Sequence, residues 1–268
     1  MKKKEQYDHP AIRQVEAIST KLIDLNRQLE EKNKLLEQSE RARKGMFSNI
    51  THDLRAPVTV IRGAVERLSN KGTSEEEREA MLKIIQSRAE TLDQLVNDLY
   101  FSILVEQPGF TLNLSCLELV PLLEEYCISM KGSGRLVDRR TALDIPKGFN
   151  ARVMIDPQHF LRVLDNLMSN AIRHTKQDDS IKMSCRENDG VVEIRVKDSG
   201  SGIPERDLPY IFDRTFSGEW ARTPGRSGSG LGLAIARTII EKHGGEIHCN
   251  TSYGKGTTFI ISLPSVTE

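Results

Sequence analysis

The chain has 268 residues, enough for one large domain or two small ones with a buried core. Its 38 basic and 38 acidic residues cancel, which removes any bulk electrostatic case for nucleic acid or a membrane surface. No apolar run approaches the roughly 20 residues that span a bilayer. The opening Met1-Lys2-Lys3-Lys4 lacks the apolar stretch of a signal peptide, and Cys116, Cys127, Cys185 and Cys249 are scattered like reduced thiols of a cytosolic protein.

Val15, Ile18, Leu22, Leu25, Leu29 and Leu36 recur at helical steps among charged residues, interrupted at Lys32. The pattern predicts a helix paired in a two-stranded coiled coil; a single amphipathic helix lying on its own protein has the same periodicity. No proline occurs between Ala11 and Ala56, so the helix is expected to run unbroken into the segment Phe47 to Pro57. There Phe47, Ile50, Leu54, Ile61, Val65 and Leu68 share one face. His52 falls on the other, toward solvent, among Ser48, Asn49, Arg55 and Thr59. An exposed imidazole beside a carboxylate, here Asp53, suits nucleophilic attack, because the acid holds the tautomer that frees the far nitrogen. An ordinary surface histidine carries the same local signature.

Asn70, Gly72 and Thr73 mark a turn, and Ser74 with Glu77 has the pattern of a capping box. Met81, Ile84, Ile85, Leu92, Leu95, Leu99 and Ile103 supply the apolar stripe of a second helix. A hairpin of two such helices leaves apolar face uncovered. Two copies would close it as a four-helix bundle, so a homodimer is expected.

Pro108-Gly109 ends the helical region. Beyond it, Ile181, Met183 and Cys185 alternate with polar residues, as do Val192, Ile194 and Val196, and Asn188-Asp189-Gly190 joins the two runs as a hairpin. Phe259, Ile261 and Leu263 mark a late strand, and helical patterns lie at about 118–130, 157–174 and 231–243. The expected fold class is α plus α/β: a helical hairpin, then a sandwich with sheet on one side and helices on the other.

Three segments of this second half carry chemistry. Asp156-Pro157 opens a helix with apolar Phe160, Leu164, Leu167, Met168 and Ala171 on one face. Asn166, Asn170 and Arg173 stand on the other, where two amides and a guanidinium suit phosphate and Mg²⁺. Asp198-Ser199-Gly200-Ser201-Gly202 follows a strand; Gly200 and Gly202 would let a planar ligand lie against the backbone. Asp198 can accept a hydrogen bond from the exocyclic amine of adenine, and guanine offers a carbonyl there, which favours ATP over GTP. Gly228-Ser229-Gly230-Leu231-Gly232 precedes a helix, and its free N–H groups suit phosphate. Pro204, Pro209, Pro224 and Gly225 lie in a long segment between these glycine turns that reads as a lid.

In this order, the elements resemble the catalytic core of bacterial sensor histidine kinases, from about Gly45 to Pro264. Phe47 to Leu68 looks like the phospho-acceptor box, with His52 as acceptor and Asp53 as its acidic neighbour. Asn166 to His174 looks like the asparagine box, Asp198 to Gly202 the first glycine box and Ile211-Phe212 the start of the phenylalanine box. Gly228 to Gly232 resembles the second glycine box, and Gly254 to Thr257 a last small one. No other histidine (His9, His159, His174, His243, His248) sits in an acceptor box.

The resemblance implies a Bergerat-type ATP-binding fold over 108–268, a dimerisation and phosphotransfer domain over 46–107, and a coiled-coil signalling helix over 1–45. It implies His52 and Asp53 as catalytic residues. It implies nucleotide contacts from Asn166, Asn170, Arg173, His174, Asp198, Gly200, Gly202, Gly228, Ser229, Gly230, Leu231, Gly232 and Thr257, with Asn170 on Mg²⁺. The implied reaction is autophosphorylation from ATP, then transfer to an aspartate of a response regulator. The implied setting is the cytoplasm, whether as a soluble kinase or as the cytosolic part of a receptor.

The chain departs from the family pattern at Ala56, where a threonine or asparagine usually supports regulator dephosphorylation. It departs also at His174, Thr215 and Ser217, the last two leaving Arg214 or a lid arginine (Arg222, Arg226) to meet the γ-phosphate. Trp220, in the lid, is expected either to report nucleotide binding or to pack permanently on a neighbouring surface. Two other readings stay open: a degenerate ATP-binding scaffold acting by dimerisation, and a chaperone- or repair-type ATPase sharing the nucleotide fold.

Overall fold

A computed structural model describes residues 10–70, 72–105, 107, 109–213 and 230–266. The contacts form two compact units, Met1–Ser48 and Asn49–Glu268. The first helix, α1 (Pro10–Leu68, 59 residues), runs through the boundary without a break. In the first unit its apolar positions Ile18, Leu22, Leu25, Leu29 and Leu36 are all more than half exposed. The Val15 side chain lies outside the described set.

In the second unit, Pro57 sits inside α1 and has no N–H to give the Asp53 carbonyl. Residues 69–74 make the turn into α2 (Glu75–Leu104). Ser74 caps α2: Glu77 N donates to Ser74 Oγ (3.2 Å), and Ser74 N donates to Glu77 Oε2 (3.1 Å). The stripe Met81, Ile84, Ile85, Leu92, Leu95 and Leu99 is half-buried, and Ile103 is exposed.

The remainder is a two-layer α/β sandwich. Its elements are β1 (Ser115–Glu118), α3 (Leu119–Gly132), β2 (Arg140–Asp144), β3 (Arg152–Ile155), α4 (Pro157–His174), β4 (Ser180–Asn188), β5 (Val191–Asp198), a 3₁₀ turn (Glu205–Tyr210), α5 (Gly232–Lys242), β6 (Glu246–Ser252) and β7 (Gly256–Pro264). β1 and β3 form a small antiparallel pair, and the main sheet has the order β2-β4-β5-β7-β6 with only β2–β4 parallel. Asp189 (φ 50°) and Gly190 (φ 75°) both take left-handed backbone in the β4–β5 hairpin, which is why Asp-Gly stands there. Ile181, Met183 and Cys185, then Val192, Ile194 and Val196, then Phe259, Ile261 and Leu263 line one buried face under the helices.

Four strands fall where no strand is expected from sequence. β1 is four residues with Leu117 alone partly buried, β2 has five residues and β3 four, and β6 (Glu246–Ser252) mixes Ile247 with His248, Asn250 and Thr251. Such segments lack sustained alternation, and only pairing with a neighbour defines them. Part of the expected lid, Glu205–Tyr210, is a 3₁₀ turn; residues 214–229, with Arg214, Thr215, Ser217, Trp220, Arg222 and Arg226, lie outside the described residues.

Candidate functional site

His52, the acceptor expected from sequence, stands on α1. The His52 side chain is 81% exposed, and its Nδ1 lies 3.3 Å from Asp53 Oδ1. With Nδ1–H donating to that carboxylate, Nε2 keeps its lone pair toward solvent. Asp53 is far less exposed than its neighbour, and burial raises its carboxyl above the usual carboxylate range. The hydrogen bond from His52 and the charges of His52 and Arg173 oppose that rise. Ala56 is exposed one helical turn along.

The second cluster lies at the end of β5. Strand alternation places Asp198 in register with Val192, Ile194 and Val196, so its carboxylate enters the buried layer at 2% exposure. Gly200 N (2.8 Å) and Thr257 N (3.3 Å) both donate to Asp198 Oδ1, and among the described residues Oδ2 has no partner. Burial raises this carboxyl, opposed by those two N–H donors. Thr257 Oγ1 lies 3.2 Å from Thr251 Oγ1, which also accepts from Ile203 N (3.0 Å). The sequence offered no sign of Thr251, a polar residue in a strand with little pattern.

The glycines here answer to the protein's own backbone. A Cβ on Gly200 would sit 2.1 Å from the His174 carbonyl oxygen, and one on Gly202 2.2 Å from that of Ser252. Close approach of backbone to backbone therefore demands glycine at both positions. His174 meets this turn through its carbonyl, which accepts from Ser201 N (3.3 Å), and its ring is half-buried.

The third element is α4. Asp156 caps it: His159 N donates to Oδ1 (3.2 Å), Asn113 N donates to Oδ2 (3.0 Å), and Pro157 takes the first helical position. Asp156 N donates to His243 Nε2 (2.9 Å), and His243 Nδ1 lies 2.7 Å from the Ile239 carbonyl. Those two bonds define a neutral ring tying α4 to α5. Phe160, Leu164, Leu167, Met168 and Ala171 are buried, as their spacing requires.

The opposite stripe is partly covered. Asn166 is 8% exposed, because α5 packs over α4 there. Its Oδ1 is 3.2 Å from the Cβ position of Gly232, the first residue of α5, and its Nδ2 is buried without a hydrogen-bond partner among the described residues. An orphaned buried donor at a glycine-lined helix start fits an acceptor oxygen such as a phosphate's. Asn170 and Arg173 are half-buried. Burial pulls Arg173 down, opposed by the charges of Asp98 and Asp53. Gly230 has φ 65° and Leu231 is buried; Gly228 and Ser229 lie outside the described residues.

One contact has no counterpart in the motifs. Arg162 Nη2 on α4 donates to Asp98 Oδ1 (2.7 Å) and to the Asn97 carbonyl (2.8 Å) on α2, and its guanidinium lies 4.4 Å from the Phe101 ring centroid. Asp98 and Phe101 are 6% and 4% exposed. An acid between Leu95 and Leu99 in an apolar stripe was the available signal. Among the described residues no group of His, Cys, Asp and Glu could hold a metal, and no helix is long and apolar enough to cross a membrane.

Two family models match the chain: the His kinase A (phospho-acceptor) domain over residues 42–106, and the histidine kinase-, DNA gyrase B- and HSP90-like ATPase over residues 155–267. The chain is 34% identical over 230 residues to the sensor protein SrrB of Staphylococcus aureus, covering 84% of this chain and 38% of that protein. It therefore spans well under half the length of the curated relatives it matches. Among solved structures it is similar to the Acinetobacter baumannii histidine kinase AdeS (TM-score 0.61, 23% identity, 81% of this chain and 98% of that one), which bears on fold alone. It is also similar to histidine kinase ThkA, solved in complex with the response regulator protein TrrA (TM-score 0.65, 25% identity, 86% of this chain and 66% of that one). An acceptor-histidine helix joined to an ATPase domain of this type makes the chain a member of the sensor histidine kinases, whose catalytic core it comprises.

Proposed function

We propose that the chain autophosphorylates His52 from ATP and passes the phosphoryl group to an aspartate of a response regulator. The observation that carries this is the exposed His52 ring with Nδ1 held by Asp53, in one chain with the buried Asp198–Gly200–Thr257 cluster. His52 Nε2 attacks the γ-phosphorus, the bond to the β-phosphate oxygen breaks, and ADP leaves. The Nδ1 proton passes to Asp53, whose raised basicity suits it as acceptor. The P–N bond then breaks as the regulator carboxylate attacks phosphorus, and the ring regains its proton.

In this reading Asp198 Oδ2 receives the adenine amine, and Gly200, Gly202, His174 and Thr257 shape that end of the pocket. Asn166 Nδ2, Arg173 and the segment Gly228 to Gly232 face the phosphates. Asn170 would hold Mg²⁺, which offsets phosphate charge when bound. The segments 1–45, 46–107 and 108–268 serve as signalling helix, dimerisation and phosphotransfer domain, and ATP-binding domain. The regulator partner is supported by the ThkA–TrrA likeness. The homodimer is supported by the match to the phospho-acceptor family and by exposed Phe47, Val58, Val60 and Val65 on α1 with Val96 and Tyr100 on α2.

The test is incubation with γ-labelled ATP. Wild type is expected to acquire acid-labile, alkali-stable label, and His52→Gln to acquire none. Equal labelling of the two would overturn the assignment.

A further inference from the structure

We propose that Arg139 is a positioning residue for nucleotide binding, fixing the end of α4 against the first glycine turn. The inference rests on the nucleotide-site reading above. Arg139 lies between α3 and β2, in no motif, and is half-buried. Its Nε donates to Thr175 Oγ1 (2.8 Å), and its Nη2 donates to the carbonyls of Ile172 (3.1 Å) and Thr175 (3.3 Å). The Thr175 hydroxyl in turn donates to the Ala171 carbonyl (2.8 Å). The last carbonyls of a helix have no partner within it and carry its negative dipole end. A guanidinium fork meets both needs in one geometry.

The backbone delivers Arg139 to this place. Asp178 N donates to the Asp138 carbonyl (2.8 Å), and Arg140 N donates to the Asp179 carbonyl (2.9 Å), so bonds on both flanks zip residues 138–140 to the loop after α4. Asp138 (φ 68°) and Asp178 (φ 67°) both take left-handed backbone to make that pairing. The same loop reaches the glycine turn: Ser199 Oγ donates to Asp179 Oδ1 (3.4 Å) and accepts from Ser180 N (2.9 Å). On the other side, the His174 carbonyl accepts from Ser201 N and abuts Gly200.

The last turn of α4 carries Asn170, Arg173 and His174, and the turn it is pinned to carries Asp198 at its base. Arg139 touches neither ligand end. It holds the phosphate-facing turn and the adenine-facing turn at one separation, and without it the helix end loses partners at Ile172 and Thr175. Nucleotide would then have to order that turn on binding, which lowers affinity without altering the attack of His52.

The experiment compares the full chain as wild type, Arg139→Lys and Arg139→Ala, measuring the ATP KM and kcat of autophosphorylation, ATP affinity by calorimetry and the urea midpoint. Losing hydrogen bonds to a charged group predicts an ATP affinity roughly tenfold weaker in Arg139→Ala. Arg139→Lys keeps charge but not the fork, and is expected to fall between the two, with kcat retained at saturating ATP. An unchanged KM in Arg139→Lys and Arg139→Ala, or a loss confined to kcat, overturns the proposal. If Arg139→Ala does not fold, Arg139→Lys decides alone: a raised KM at a wild-type urea midpoint supports the role, and a wild-type KM refutes it. A wild-type chain that binds no ATP would remove the nucleotide-site reading and this inference together. A wild type that binds, beside variants that bind equally, removes this inference only.

Discussion

At the scale of single residues, two neighbours on α1 divide the acceptor chemistry. His52 is exposed and Asp53 is mostly covered, so in the proposed reaction the ring would meet the nucleotide while the carboxylate acts from a drier environment. Losing a general base typically costs about 10²-fold or more in rate, so Asp53→Asn is expected to slow autophosphorylation by about that factor while leaving ATP affinity intact, read from single-turnover labelling and calorimetry. The base works as carboxylate. Its raised pKa, caused first by burial, means that activity falls as pH drops through a value above the ordinary 3.8 of aspartate. That acid limb is expected to vanish from the Asp53→Asn rate profile. Ala56 has no group to orient a water, so dephosphorylation of the regulator by this chain is expected to be slow. Ala56→Asn is expected to speed it several-fold at unchanged autophosphorylation, measured as loss of label from the purified phosphorylated regulator. Both positions were legible as letters in a helical pattern: the spacing of Phe47, Ile50 and Leu54 dictates which way His52 faces. The bond between His52 and Asp53 was an expectation of chemistry, and rotamers decided it.

At the scale of elements, α4 is tied to α2 through Arg162, to α5 through Asp156 and His243, and to the first glycine turn through the His174 carbonyl. Its apolar stripe was readable because Phe160, Leu164, Leu167, Met168 and Ala171 obey the helical period. The cover over its polar stripe was not readable, because periodicity separates faces without saying what covers each one. α5 and Gly232 cover Asn166, and α2 presents Asp98 and Phe101 to Arg162. The tie through His243 has a pH consequence. Burial, with the charge of His159, holds the ring below its ordinary 6.5, against the bonds to Ile239 and Asp156 and the Asp156 charge, which raise it. A base with a depressed folded pKa contributes stability that is fully present above its unfolded value. That stability is lost as pH falls below it, since only the unfolded chain then gains the proton. The urea midpoint is therefore expected to fall between about pH 7.5 and about pH 5.5 by more in wild type than in His243→Gln, which lacks the titrating ring. Equal falls in both would show that other groups carry the acid sensitivity. His243 gave no sequence signal of this kind, because its partners Asp156 and Ile239 are set by the packing of two helices.

At the scale of the whole molecule, apolar side chains remain exposed along both long helices, among them Leu22, Leu25, Leu29, Val60 and Val96. A coiled-coil stripe and a half-covered hairpin are stable when a second copy supplies the missing contacts. Sedimentation equilibrium is expected to give twice 30.2 kDa. Replacing Val60 and Val96 with aspartate is expected to shift the chain toward monomer and to lower its thermal midpoint. A monomeric wild type at micromolar concentration would count against the dimer.

Local chemistry written in the sequence determined the helix phases, the capping box at Ser74–Glu77, the Asp189-Gly190 hairpin and the motif positions of His52, Asn170 and Asp198, because each depends on neighbours a few residues away. Tertiary structure alone decided the burial of Asn166, the strand pairing of β1, β2, β3 and β6, the His243 bridge and the clamp by Arg139, because each depends on groups far apart in sequence. The glycines join the two levels: their letters were plain, but the reason for Gly200, a carbonyl 2.1 Å from where its Cβ would stand, exists only once α4 and β5 meet.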